Sequence, residues 1–194
     1  MKKRRLLRFV PVILAAVLPG NDVGAQQGLV PYLGGGVAAG AGDLSSDTDN
    51  GWLVFGGLDL TLAVLPGLSV GATVSYTHIP YQGGFNEATN ITGVFGEASY
   101  VPWATSAMSL KPYVRAGIGM LQHEYDPGTT RFDSQSESKI GFSAGAGLSY
   151  NFGSAAPFLG FHFVGTGETG FLAFHGGVAF PGVRAASRRR YAPR

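Results

Sequence analysis

Cysteine is absent from the sequence, charged residues are few, and no hydrophobic run is long. The lack of cysteine excludes a disulfide framework, a cysteine-ligated zinc site and a cysteine nucleophile. No segment reaches the about 18 consecutive apolar residues that a membrane-spanning helix requires. Only 13% of the residues are charged and 45% are hydrophobic, and this composition excludes an intrinsically disordered chain.

Glycine, by contrast, is abundant. It supplies 31 of the 194 residues, well above the about 7% of average proteins. Helix signals are scarce, and apolar residues alternate with small or polar ones in segments that end at Gly, Pro, Asp or Asn. A chain of this kind and length predicts one all-β domain, which is either a soluble protein or a β-barrel in a membrane.

The formal net charge of +2 combines three regions of different character. Five of the basic residues lie in residues 1–25, and five arginines lie in residues 183–194. The region between them holds four basic and eleven acidic residues, a net charge of −7. An acidic body repels phosphate, so nucleic acid is excluded as a partner.

The first 25 residues have the pattern of a secretory signal peptide. Met1 to Arg8 is basic, Phe9 to Leu18 is a short apolar run, and Val23-Gly24-Ala25 places small residues at a cleavage site. We expect export, with a mature chain that starts near Gln26. At the other end, the basic tail 183–194 is expected to be a solvated, disordered segment.

Eight alternating units follow the signal peptide and predict eight β-strands. They lie near 28–40, 51–63, 68–79, 89–101, 109–123, 138–152, 157–165 and 169–180. In the third unit, Val70, Val74 and Tyr76 share one face, while Ser69, Thr73 and Thr77 share the other. In the sixth unit, Ile140, Phe142 and Leu148 oppose a face of Gly, Ser and Lys139.

The orientation of these faces decides between the two classes. In a soluble lipocalin-like barrel the apolar face would line the interior, which leaves the strand charges on no consistent side. In a membrane barrel the apolar face meets lipid and the small and ionic face lines a narrow lumen. Aromatic residues at strand ends suit the membrane interfaces: Trp52, Tyr76, Tyr100, Trp103, Tyr150 and Phe180. The sequence therefore predicts an all-β, eight-stranded antiparallel up-and-down transmembrane β-barrel over residues 26–182, with short turns in the periplasm and longer loops outside.

Three segments carry a family resemblance. Lys111 to Gly119, Gly141 to Leu148 and the last strand, Phe171 to Phe180, resemble the small outer-membrane β-barrel superfamily of the OmpX and OmpA membrane-domain type. The resemblance implies location in the cell outer membrane, contact with its lipid and lipopolysaccharide, and a monomeric barrel. It also implies recognition of the last strand by the barrel-assembly machinery through a final aromatic residue, although 14 residues follow Phe180 here.

Ionic residues with lumen parity form the first candidate site. Asp59, Glu97, Lys111, Arg115 and Lys139 are predicted to form a lumen charge network, and a turn centred near residue 105 would place Glu97 between Lys111 and Arg115. Such a network suits either a gated polar pore or a structural plug. An eight-stranded barrel is only wide enough for side chains to fill, so the plug is favoured.

Two histidines with lumen parity, His162 and His175, form the second candidate site. Some eight-stranded barrels are lipid A deacylases with a His-x-Ser element on a strand, but Phe163 and Val164 follow His162 here. Without a hydroxyl in that place no catalytic residues are predicted. Two histidines do not make a metal site either, and no cofactor is expected.

The sequence thus predicts a non-catalytic outer-membrane barrel. Its expected role is envelope integrity or surface interaction, with a ligand bound by the extracellular loops. A narrow channel or hydrophobic-ligand conduit is the alternative, and a lipid A-modifying enzyme is a weaker one. Surface loops carry specificity that a single sequence does not reveal.

Overall fold

The computed structural model describes residues 28–83, 87–102, 104, 109–126, 135–167 and 169–181. The predicted signal peptide, the basic tail and Trp103 lie outside the described residues, so the predictions made for them stay predictions. Within the described residues, no helix is long and apolar enough to cross a membrane.

The described chain forms eight antiparallel strands, each paired with the next in sequence. Their bounds are β1 Leu29–Gly42, β2 Gly51–Thr61, β3 Leu68–Pro80, β4 Ala88–Tyr100, β5 Leu110–Asp126, β6 Gln135–Tyr150, β7 Ala156–Gly165 and β8 Thr169–Ala179. Pairing of β1 with β8 closes the sheet into a barrel. The predicted fold class is therefore confirmed.

The connections do not differ consistently in length between the two ends of the barrel: they span 5 to 9 residues at one end and 3 to 8 at the other, so the predicted contrast of short turns and longer loops is not seen in these lengths. The turn end holds the connections 62–67, 101–109 and 151–155 and both ends of the described chain, and the loop end holds 43–50, 81–87, 127–134 and 166–168. Gly67 and Gly153 have φ values of 88° and 91° at the turn end. Residues with a side chain rarely adopt this left-handed backbone conformation, so glycine permits these tight turns.

The apolar face of each strand points away from the barrel axis. Val74, Ile118 and Ile140 are 55%, 67% and 74% exposed, while the neighbouring inward residues Thr73 and Thr77 are 3% and 0% exposed. An outward surface of Val, Ile, Leu and Phe is the arrangement of a barrel that meets lipid. It is the reverse of a soluble barrel.

Aromatic side chains mark the two edges of this outward apolar band. Trp52 and Tyr76 lie toward the loop end with ring centroids 5.6 Å apart, and Tyr100, Tyr150 and Phe180 lie toward the turn end. All five are between 37% and 47% exposed. Amphipathic rings at these two levels fit the aromatic girdles of membrane barrels.

Candidate functional site in the barrel lumen

An ionic layer crosses the lumen in the half nearer the turn end. Arg115 from β5 donates from Nη2 to Oδ2 of Asp59 on β2 at 2.5 Å, and from Nη1 to Oε2 of Glu97 on β4 at 3.4 Å. Its guanidinium carbon also lies 4.4 Å from the ring centroid of Tyr32 on β1. One guanidinium thus joins two carboxylates and an aromatic ring contributed by three other strands.

Glu97 is the most deeply buried member of this layer, with a side chain only 1% exposed. Thr73 donates to its Oε2 and Ser143 donates to its Oε1 at 2.7 Å. Nε2 of His162 lies 3.6 Å from Oε1. A buried carboxylate is costly unless it is paired and hydrogen-bonded, and these contacts from β3, β5, β6 and β7 meet that requirement.

Glycines make room for the two carboxylates in the wall. Gly71 on β3 lies between the two carboxylates, opposite Asp59 on β2 and opposite Glu97 on β4. On its other side, Glu97 lies opposite Gly117 of β5. A Cβ at Gly71 would meet the Asp59 side chain, and a Cβ at Gly117 would meet the Glu97 and Ser143 side chains. A side chain at either position would also meet a backbone oxygen of the neighbouring strand, that of Leu58 at the first and that of Gly96 at the second, so both positions require glycine in this packing.

The structure does not bring all five predicted network residues together. Lys111 donates from Nζ to the carbonyl oxygen of Ala104 at 2.5 Å, in the turn between β4 and β5. Nζ of Lys139 lies 3.3 Å from Oε2 of Glu137, toward the loop end of β6. The charge layer thus consists of Asp59, Glu97 and Arg115, while each lysine has a local partner elsewhere.

The predicted register of β4 and β5 needs a correction that explains the place of Lys111. Glu97 lies opposite Gly117, not between Lys111 and Arg115. The turn is centred about two residues later than the sequence suggests, which moves β5 by four residues along β4. Glu97 then reaches Arg115 diagonally, and Lys111 falls near the mouth of the barrel.

The two histidines lie next to each other at the edge of the ionic layer. Their ring centroids are 5.8 Å apart, and Nε2 of His175 lies 3.4 Å from the hydroxyl of Tyr113. No group of three or more potential metal-ligating side chains occurs in the part of the chain that the structure describes.

An apolar layer fills the lumen between the ionic layer and the loop end. Phe95, Phe171, Ile79, Ile91 and Leu121 are at most 2% exposed and belong to one cluster. Alternation along the strands predicts an interior of small and ionic residues, so this layer is not predicted from the sequence. Its signal was present, since Ile91 and Phe95 have the same parity as Glu97 on one strand.

On the turn-end side of the ionic layer the lumen is open. A cavity of about 190 Å³ is lined there by Tyr32, Phe55, Asp59, Tyr113, Phe158 and His175, with Val30, Val101 and Pro181 among the residues at its mouth. Because the apolar layer lies beyond it, this cavity is blind toward the loop end.

The loop end is uneven because β5 and β6 continue beyond their neighbour. β5 pairs with β6 from Leu110 opposite Tyr150 to Tyr125 opposite Gln135. β7 pairs with β6 only from Phe142 to Ser149. Residues 135–141 of β6 therefore have β5 on one side and no pairing with β7 on the other.

Comparison with known proteins agrees with this architecture. The family model for the outer membrane protein beta-barrel domain matches residues 12–163. The chain belongs to this family. As an outer membrane β-barrel domain protein, it is located in the outer membrane, as the sequence predicts.

Solved structures of other outer membrane β-barrels resemble the chain at low sequence identity. Neisserial surface protein A matches with a TM-score of 0.64 and 15% identity over 79% of this chain and 96% of that one. The N-terminal β-barrel domain of Pseudomonas aeruginosa OprF gives 0.51 and 19% over 79% and 97%. Ail of Yersinia pestis, in complex with the heparin analogue sucrose octasulfate, gives 0.51 and 14% over 79% and 98%. These matches establish the fold, and no curated protein matches the chain.

Proposed function

We propose that this outer membrane barrel is a non-catalytic surface protein whose β5–β6 hairpin binds a partner outside the cell. The observation that carries the proposal is the unpaired edge of residues 135–141 on an otherwise closed barrel. An edge strand presents backbone donors and acceptors to which an extended polypeptide can add as a further strand. Ser136 and Ser138 on this edge are small and exposed.

Charge at the loop end indicates what kind of segment would bind. Among the described side chains in or beside the loops, Lys139 is basic and six are acidic: Asp43, Asp47, Asp49, Glu87, Glu124 and Glu137. Ail has been solved with a sulfated polyanion, but an acidic rim repels such a ligand. We therefore propose an extended segment with basic side chains as the partner.

The lumen supports a non-catalytic role. In a serine hydrolase the histidine lies between the hydroxyl and the carboxylate. Here the carboxylate of Glu97 lies between them, because Ser143 donates to Oε1 and His162 approaches the same oxygen at 3.6 Å. The hydroxyl of Ser143 therefore has a carboxylate as its acceptor in place of the imidazole that activates a serine nucleophile.

The apolar layer likewise argues against the alternative of a channel. An ion that crossed the barrel would pass the fully buried rings of Phe95 and Phe171 after leaving the ionic layer. Planar-bilayer recordings of the refolded protein are expected to show no ionic conductance. Steady conductance would favour the channel over the surface protein.

A shortened hairpin tests the surface role. Leu121 and Lys139 are paired, so residues 122–138 can be replaced by Asn-Gly, which forms the two-residue turn suited to a hairpin. The cut also removes the β5 residues that pair with residues 88–92 of β4, so the folding of the variant is checked by the different gel migration of boiled and unboiled protein.

The binding probe is a fluorescent peptide of alternating lysine and valine, with a glutamate–valine peptide as its charge control. In nanodiscs, the complete barrel is expected to bind the basic peptide, and the shortened variant to lose that binding. Equal binding by the shortened variant, or a preference for the acidic peptide, would contradict the proposal.

Envelope integrity is the second candidate role, and the sealed lumen favours it because such a barrel adds surface to the membrane without a leak. A deletion strain is then expected to become permeable to large hydrophilic antibiotics. The shortened variant should restore the barrier fully, since this role needs the barrel and not the hairpin.

A further inference from the structure

The blind cavity at the turn end is the strongest feature of the molecule that the proposed function does not use. It holds about 190 Å³, and an apolar cavity of about 150 Å³ is large enough for a benzene molecule. The residues at its mouth belong to the turn end, which a barrel of this family is expected to place in the periplasm. Its size and access therefore suit a small molecule.

Rings form one wall of this cavity. Phe55 and Phe158 have centroids 6.1 Å apart, and the His175 ring lies 5.2 Å from the first and 6.0 Å from the second. Tyr113 meets Phe158 edge to face at 6.2 Å. Rings at these separations prefer edge-to-face or offset contacts, which an aromatic guest can join.

The ionic groups at the base of the cavity already have partners. Asp59 and Glu97 share Arg115, and Glu97 also has Ser143 and His162 within reach. A charged guest would lose its hydration and find no unpaired charge in return. The cavity therefore favours an uncharged guest.

Three buried polar atoms of the cavity lining have no hydrogen-bond partner in the described part of the chain: Nε of Arg115, Nε2 of His162 and Nδ1 of His175. The first two belong to side chains of the ionic layer that approach Glu97, which leaves Nδ1 of His175 as the one outside that layer. His175 is 6% exposed, and its Nδ1 has no hydrogen bond to any residue that the structure describes. Buried polar atoms are nearly always hydrogen-bonded, and a neutral imidazole nitrogen can donate or accept. A single hydroxyl on a guest would satisfy it.

From these observations we propose that the turn-end cavity is a binding site for a small uncharged aromatic molecule that carries one hydroxyl group. The ring packs against the wall that Phe55 and Phe158 form together, and the hydroxyl hydrogen-bonds to Nδ1 of His175. The guest enters and leaves at the turn end, because the apolar layer closes the other side.

Phenol and toluene are suitable probes because they have nearly the same shape and differ in the hydroxyl. Methyl NMR of the complete barrel in nanodiscs separates binding from partition into lipid. Phenol is expected to shift the methyl signals of Val30 and Val101, which line the cavity, more than those of the lipid-facing Val74 and Val114. Shifts confined to the lipid-facing methyls would overturn the site.

The His175→Phe variant tests the hydrogen bond. It keeps a ring in place, and it is expected to lower the ratio of phenol to toluene affinity by about three- to tenfold, the value of one neutral hydrogen bond. Partition into lipid cancels in this ratio. An unchanged ratio would overturn the role of His175.

Two further measurements complete the test. Ser149→Phe, which fills the mouth of the cavity, is expected to weaken both probes, whereas Phe174→Leu removes a lipid-facing ring from the strand of His175 and should leave both unchanged. Benzoate and benzylamine are expected to bind at least tenfold more weakly than phenol. Binding of either charged probe as tightly as phenol would contradict the proposed class of guest.

Discussion

Arg115→Met is expected to destabilise the barrel by about 3–5 kcal/mol, because it removes one partner of a buried ionic group. Arg115 is the cation that both Asp59 and Glu97 contact, at 2.5 and 3.4 Å. The three side chains are 17%, 13% and 1% exposed, so water cannot replace the guanidinium at Glu97.

The size of the loss follows from how unequally the two carboxylates are supported. Glu97 keeps its hydrogen bonds from Thr73 and Ser143. Asp59 loses its ion pair and stays 9% exposed as a residue. Most of the destabilisation is therefore expected to come from Asp59, and Asp59→Asn in the Arg115→Met background should recover part of it.

The measurement is urea unfolding of the refolded barrel in phospholipid vesicles, followed by tryptophan fluorescence. Lys139→Met is the matched control, since its partner Glu137 is 68% exposed and an exposed pair contributes at most about 1 kcal/mol. The variant with Asp59→Asn, Glu97→Gln and Arg115→Met together is expected within about 1 kcal/mol of the original protein. A loss below about 1 kcal/mol in Arg115→Met would refute the view that the layer is a buried ionic network.

Two further sets of substitutions test the orientation of the barrel and its seal. Ala116 lies midway along the outward apolar band of β5, so Ala116→Arg is expected to lower the free energy of unfolding by about 2–4 kcal/mol. Gln122 lies beyond the band, and Gln122→Arg is expected to lower it by about 0–1 kcal/mol. Equal losses for the two variants in urea unfolding would contradict the placement of the band. Phe95→Ala is expected to cost about 3–5 kcal/mol as a core truncation, and more than Phe174→Ala in lipid. The double variant Phe95→Ala with Phe171→Ala is expected to show measurable bilayer conductance. If the double variant shows no conductance, the ionic layer alone seals the lumen.

The strands and their faces could be predicted because a β-strand has a strict period of two. The eight predicted units match the observed strands to within about three residues at each end, and Val74 and Phe142 face outward as alternation requires. In a membrane barrel one face of each strand meets lipid and the other meets the lumen. The alternation therefore determines which residues of a strand face outward.

The membership of the charge layer could not be predicted, because parity assigns a side chain to the lumen without fixing its height. Lys111 and Arg115 lie four residues apart on β5, and Lys139 lies opposite Leu121, nearer the loop end. The register between β4 and β5 then decides which of these side chains Glu97 meets. That register depends on the turn between β4 and β5, whose centre alternation does not locate. Lysine side chains are also long enough to reach a local partner, as Lys111 does at Ala104.

The apolar layer was missed for a different reason. Small residues on the inward face leave the lumen open. Large side chains at a few inward positions are enough to fill the lumen at one height. Ile91 and Phe95 occupy such positions on the strand that also carries Glu97. A count of inward side-chain volumes along each strand would have indicated that the lumen is filled at one height and open at another.

The pairing of β1 with β8 has a consequence for how the protein reaches its membrane. Eleven consecutive residue pairs, from Tyr32 opposite Ala179 to Gly42 opposite Thr169, join the first strand to the last. Until β8 has been delivered, β1 and β7 each carry a row of unmet backbone groups that hydrocarbon cannot solvate. Stepwise insertion, strand by strand as the chain emerges, is therefore unfavourable, and the complete polypeptide has to be kept unfolded in transit until both of its ends can meet.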